Sequence, residues 1–205
     1  MENTPEHAPS PGREPVVRGE DWYGRKLGAG QTHQRLTFYD TDWTEVLNEG
    51  ARFDECVFAG VRFNASRHTG AAFTNCLFRA CGFFDARFEG CTFVGSRFQG
   101  STFGLLEVTG GDWSFTGLPG ADLRKAVFDG VRMREADLTG ARLEGATLSG
   151  CDLAGAALHG ARLTGADLRG SDLSSLDPRT VDAAGARIGL EQAAVLATAL
   201  GYRVE

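Results

Sequence analysis

From Leu36 to Ser175 the chain divides into consecutive units of five residues without one break in phase: LTFYD, TDWTE, VLNEG and so on to ADLRG and SDLSS, 28 units in all. The third position is apolar in 26 of them, the exceptions being Asn48 and His68. Twelve of the chain's 14 Phe stand there between Phe38 and Phe128, and ten Leu between Leu118 and Leu173. The first position is small in every unit but those of Leu36 and Leu106. A period of five fits neither the two-residue repeat of a strand nor the 3.6-residue repeat of a helix, so both ordinary readings fail. Fixed-period self-similarity of this kind belongs to a solenoid.

A second period sets the coil. Glycine occupies positions 50, 70, 90, 110, 130, 150 and 170, so one corner in every twenty residues needs backbone freedom and each coil is built of four units. The large third residue and the small first residue point inward, and the others face water or turn corners. Seven coils stacked at about 4.8 Å make a rod roughly 34 Å long. Each coil buries its apolar side only against its neighbours, so both ends need caps. This is an all-β solenoid. Glycine, 28 of 205 residues, does not recur every third residue, which excludes collagen.

The flanks differ. Residues 1–20, with Pro5, Pro9, Pro11 and Pro15, are expected to be a disordered tail, and 21–35, with Trp22 and Tyr23, a cap or linker. Residues 36–175 form the β-helix and 176–205 a C-terminal cap. Pro178 interrupts the repeat, although Ala186-Arg187-Ile188 fits a last partial strand. GLEQAAVLATALG then reads as a helix from about Leu190 to Leu200, stopped at Gly201. Leu190, Ala193, Ala194, Leu196, Ala197 and Leu200 fall on one arc of it, with Glu191, Gln192, Val195 and Thr198 outside.

Units such as ADLTG, ARLEG, ARLTG and ADLRG resemble the A(D/N)LXX pattern of pentapeptide-repeat proteins, which implies a right-handed quadrilateral β-helix of about seven coils with a short C-terminal α-helix. SRHTGAAFTNCLF (66–78), where His68 replaces a core Phe, the stretch FGLLEVTGGDWSFTGLPGADLRKAVF (103–128) and the ending ARIGLEQAAVLATALGYRVE (186–205) are similar to the MfpA/Qnr-type gyrase-interacting quinolone-resistance proteins. With no loop inserted between coils, the chain resembles MfpA more than the loop-bearing Qnr proteins. The resemblance implies a DNA mimic that binds DNA gyrase, and a tail-to-tail homodimer through the C-terminal helix.

Other chemistry finds little support. Cys56, Cys76, Cys81, Cys91 and Cys151 all occupy the small inward position, where cysteine serves as apolar filler, and no CxxC spacing points to zinc. Cys56 and Cys76 stack in adjacent coils at about 4.8 Å, close enough for a disulfide, which a cytosolic location disfavours. His68 and Asn48 read as a hydrogen-bonded interruption of the core. His7, His33 and His159 are scattered. No Ser–His–Asp set, metal-ligand spacing, P-loop or dinucleotide fingerprint occurs, so no catalytic residue, metal or cofactor is expected. No apolar run approaches the 18 residues of a membrane span and no secretory leader is evident, so the expected location is the cytoplasm.

Charge tests the mimicry. Net charge is −6, which argues against direct nucleic-acid binding. B-DNA presents about 20 negative charges over 34 Å, whereas residues 36–175 hold 18 acids and 13 bases. Mimicry spread evenly over the rod fails. Sorted by face, however, the surplus falls on two adjoining faces, that of Phe53, Phe73, Phe93 and Trp113 and that of Phe88, Val108 and Phe128. Their acids, Glu49, Asp54, Glu55, Glu89, Glu107, Asp112, Asp129, Glu135, Asp152, Asp167 and Asp172, form the expected partner-binding strip. The alternative is a scaffold of the same fold that binds an unrelated protein, since fold alone does not assign function.

Overall fold

The computed structural model describes residues 15–205, so most of the predicted N-terminal tail lies outside it. The chain winds into a four-sided β-helix in which every strand pairing is parallel. Each face is named here by its first inward residue after position 36. The Phe38 face stacks Val16–Arg18, Thr37–Tyr39, Val57–Ala59, Leu77–Arg79 and Arg97–Gln99. The Asn48 face stacks seven strands from Lys26–Gly28 to Thr147–Ser149, and the Phe53 face begins with Thr32–Gln34, Arg52–Asp54 and Ala72–Thr74. The Trp43 face is held by single bridges such as Asp42↔Arg62 and Arg62↔Gly82.

The register is the predicted twenty residues, as in Phe58↔Phe78 and Phe88↔Val108. Gly70, Gly90, Gly110 and Gly130, in the predicted corner column, all take φ near +60°, a conformation that costs an L-residue and suits glycine. Inward residues are almost fully shielded from solvent. In the first half their rings stack coil on coil: Phe38, Phe58, Phe78 and Phe98 lie 4.7–4.9 Å apart and within 10° of parallel. Rings of adjoining faces meet edge to face, as Phe58 meets Phe63 at 61°. Such pairs add about 0.5–1.5 kcal/mol each beyond the area they bury.

The stack is longer than 36–175. Val17, Leu27 and His33 pair with Phe38, Asn48 and Phe53, so residues 16–34 form a further coil and not a tail and cap. The steps Val17↔Phe38 and Leu27↔Asn48 span 21 residues, and His33↔Phe53 spans 20. One extra residue lies in the corner between Gly28 and Gln31, where the Gln31 amide donates to the Gly28 carbonyl at 2.9 Å. That insertion shifts the five-residue phase and hides the first coil from a count made backwards from Leu36. At the other end the bridges Arg162↔Asp182 and Asp167↔Arg187 carry the coil past Pro178 to the predicted partial strand.

The helix is Leu190–Ala199. Gln192, placed outside the apolar arc by the sequence, is buried against the last coil. Its Nε2 donates to the carbonyls of Leu168 and Ser171 at 2.6 and 2.8 Å, and its Oε1 accepts from the Gly189 amide at 2.7 Å. One side chain thus satisfies two carbonyls at the end of the stack and one amide at the helix start. Leu196, one turn on, packs on the core.

Candidate functional site

The predicted strip divides into acids already neutralised and acids free to meet a partner. Glu55 pairs with Arg35 at 2.8 Å, Glu107 with Arg87 at 3.0 Å, Asp112 with Arg132 at 3.2 Å and Asp152 with Arg134 at 3.2 Å. Most of these pairs join one coil to the next, at i and i+20, so they brace the rod as they cancel its charge. Asp54 accepts from the Gln34 amide nitrogen at 3.1 Å, and Asp129 from the Ser149 hydroxyl at 2.7 Å. Asp172 accepts from the Ser174 amide at 2.9 Å. Glu49, Glu89 and Glu135 are exposed and make no ion pair among the described residues.

Asp167 departs from expectation. Although it holds an outward position, only 5% of it is exposed, because Arg169 binds it through two nitrogens at 2.8 and 2.7 Å and Arg187 lies at 2.9 Å. The Arg169 hydrogen bonds, together with the charges of both arginines, hold its carboxyl down to about 2. This carboxylate locks the last full coil to the partial coil beyond it and offers no free charge to a partner.

The extra coil also redistributes charge. Lys26 and Arg187 stand on the Asn48 face, so its acids Glu49, Glu89, Glu107, Asp129 and Asp167 meet as many bases: Lys26, Arg67, Arg87, Arg169 and Arg187. That face is balanced, which corrects the expected pair of adjoining acidic faces. The Phe53 face keeps a surplus, with Asp54, Glu55, Asp112, Glu135, Asp152 and Asp172 against Arg35, Arg52, Arg132 and Arg134. The opposite Trp43 face gains Asp21 and Asp182 and so holds seven acids against five bases, a surplus equal to that of the Phe53 face, while Glu20, at the corner, pairs with Arg25 at 3.8 Å. The absence of Asp21 and Asp182 from the sequence count has the same cause, the shifted phase ahead of Leu36 and the interruption at Pro178.

The predicted dimer arc is split by the packing of the helix. Leu196 turns to the coil, whereas Leu190 is 92% exposed and Leu200 49%. Leu190, Ala193, Ala197 and Leu200 follow helical spacing, and Tyr202 and Val204 extend the apolar surface beyond Gly201.

The two polar core residues form one closed relay. The Ala51 amide donates to Asn48 Oδ1 at 3.0 Å, and Asn48 Nδ2 meets His68 Nδ1 at 3.3 Å. His68 Nε2 meets Ser66 Oγ at 3.0 Å, and that hydroxyl donates to the Phe63 carbonyl at 2.6 Å. This order requires the neutral Nε2–H tautomer. Burial, and secondarily Arg67, lowers the His68 pKa to about 3. In the unfolded chain it titrates near 6.5, so between those values the unfolded state binds the extra proton and stability falls as pH falls. From pH 8 to pH 5 the loss is expected to be about 2 kcal/mol. The Asn48→Leu/His68→Phe variant, measured by urea melts across that range, should show a much flatter profile. A residual slope is expected from His33, also lowered by burial. An unchanged slope would contradict the relay.

All five cysteines are free and buried. Cys56 and Cys76 contact the carbonyls of His33 and Phe53 at 3.5 and 3.4 Å. Burial pushes the Cys91 and Cys151 thiols up to about 11, which suits filler and not nucleophiles.

The family model for pentapeptide repeats matches residues 114–145 and 136–174. No curated protein matches the sequence. Among solved structures, trypsin-treated QnrB1, a plasmid-mediated fluoroquinolone resistance protein, is 27% identical over 93% of this chain and 99% of its own, with a TM-score of 0.51. HetL, a pentapeptide-repeat protein involved in heterocyst differentiation regulation in the cyanobacterium Nostoc sp. strain PCC 7120, is 18% identical over 85% of this chain and 87% of its own, at a TM-score of 0.56. That second likeness shows the fold. The unbroken five-residue period and the twenty-residue register agree with the matched repeat model, and residues 114–174 of this chain are pentapeptide repeats.

Proposed function

We propose that this protein binds DNA gyrase in place of DNA and shields it from fluoroquinolone-type poisons. The observation that carries this reading is the end-to-end likeness to QnrB1, which spans nearly the whole of both chains. In this reading the protein is a non-enzymatic, cytoplasmic homodimer joined at the exposed stripe of its C-terminal helix. Gyrase meets the Phe53 face, where Glu135 and Asp172 offer carboxylates held by no arginine within salt-bridge distance. No helix among the described residues is long and apolar enough to cross a membrane.

The test compares two equal changes of charge. Glu135→Gln/Asp172→Asn should weaken gyrase binding roughly three- to tenfold at low salt, with the loss shrinking as salt screens the wild-type attraction. Glu49→Gln/Glu89→Gln, on the balanced Asn48 face, should do much less. Equal losses would show that gyrase reads no particular face. A second reading, a scaffold for an unrelated protein, is favoured by the extent of internal ion pairing, which leaves few carboxylates to imitate phosphates. It expects no gyrase binding by any variant.

A further inference from the structure

The ladder of the Trp43 face is interrupted at one level. Its bridges run through Gly82↔Thr102 and begin again at Asp122↔Arg142. Among the described residues no backbone hydrogen bond joins 100–105 to 119–125. The Phe83, Asp85 and Arg142 amides donate to Thr102, Gly104 and Ala121, but the equivalent amides of Phe103, Leu105 and Asp122 have no such partner. The other three faces stay bridged at this level, through Arg97↔Gly117, Val108↔Phe128 and Asp112↔Arg132. The core explains the position. Here the inward residues of two adjoining faces change from Phe98 and Phe103 to Leu118 and Leu123, so stacked rings give way to smaller side chains, and Pro119 enters the corner between them.

The opening is a crevice of about 560 Å³ with the buried Phe103 in its lining. Two further hollows, of about 240 and 420 Å³, continue it round the corner at Pro119 onto the Phe38 face. One lip presents the Phe103 and Leu105 amides and the Ser101 carbonyl, and the other the Asp122 amide and the Asp122 and Arg124 carbonyls, all without a backbone partner among the described residues. An anion would satisfy only the donors, and an apolar molecule neither kind; an extended polypeptide supplies both at the matching repeat. Charge narrows the occupant. Arg124 is held by both oxygens of Asp122 at 2.8 and 2.7 Å, Arg142 reaches Asp122 at 3.4 Å, and Glu144, the other carboxylate of the lining, lies 3.5 Å from Arg162 and 3.9 Å from Arg142. Lys125, exposed at the end of the crevice, makes no ion pair among the described residues.

We propose that this seam receives an extended segment of a partner protein, added as a strand to the Trp43 face with a carboxylate side chain against Lys125. The inference does not depend on whether that partner is gyrase. Hydrogen exchange on the full chain tests the opening: the Phe103, Leu105 and Asp122 amides should exchange at least about tenfold faster than those of Phe83, Asp85 and Arg142. Equal protection would overturn the proposal. Random peptides of about twelve residues, displayed on phage and selected on the full chain, then test occupancy. Selected peptides should carry Asp or Glu, slow those three amides about tenfold and bind about tenfold more weakly to Lys125→Glu. That variant changes only an exposed side chain, and its melting point should match the wild type. No selected peptide, or peptides that leave the three amides unprotected, would likewise overturn the proposal.

Discussion

Phe93→Asp is expected to abolish cooperative folding at 25 °C. Phe93 is fully buried, with ring centroids 4.9 Å from Phe73, 4.2 Å from Trp113 and 5.1 Å from Phe88. Removing such a ring alone costs about 3–5 kcal/mol. An unpaired carboxylate adds several more, since the core around it holds no cation to balance the charge and the buried Trp113 indole N–H, which has no partner of its own, could supply only a neutral hydrogen bond. Together these approach the whole stability of an ordinary domain, about 5–15 kcal/mol. Coils depend on their neighbours, so a fault in mid-stack removes support from both sides. Phe93→Leu, which keeps the site apolar, should melt cooperatively at a lower temperature, and Leu143→Asp should fail as Phe93→Asp does. A soluble Phe93→Asp protein with unchanged β-type circular dichroism and a cooperative melt would contradict the inward assignment.

The second large effect concerns assembly. Under the proposed dimer, Leu190→Glu/Leu200→Glu places charge on the exposed stripe and nothing in the coil, so light scattering should report the mass of one chain with an unchanged melt. Leu196→Glu should behave differently. Its side chain packs on the core, so that substitution lowers the melting temperature by loosening the cap, whatever the assembly state. Retention of the full dimer mass by the Leu190/Leu200 variant would assign the helix to capping alone, the role that the Gln192 hydrogen bonds already give it.

Most of the rod was legible because a residue's place in its unit of five decides whether it faces in or out, and no side-chain detail is needed for that. The first coil was not, since one residue inserted between Gly28 and Gln31 moves Val17, Trp22 and Leu27 out of phase with everything downstream. Gln192 was misplaced for a different reason. Apolar periodicity reads it as solvent-facing, while the unpaired carbonyls at the end of the stack require a buried donor. Charge followed the same logic: a face count registers Asp167 as one free acid, but Arg169 and Arg187 close over it. The seam left a trace in the sequence, in the change from Phe103 to Leu123 within the stretch 103–128. What the trace could not give was which face opens.

The central claim, that this rod acts on gyrase, is tested most directly by DNA supercoiling with purified gyrase across a titration of a fluoroquinolone, with and without the protein. The account expects the protein to alter supercoiling on its own, or to raise the drug concentration needed for half-inhibition, with Glu135→Gln/Asp172→Asn less effective than the wild type and Glu49→Gln/Glu89→Gln nearly as effective. Supercoiling and drug sensitivity that stay unchanged at saturating protein would contradict it.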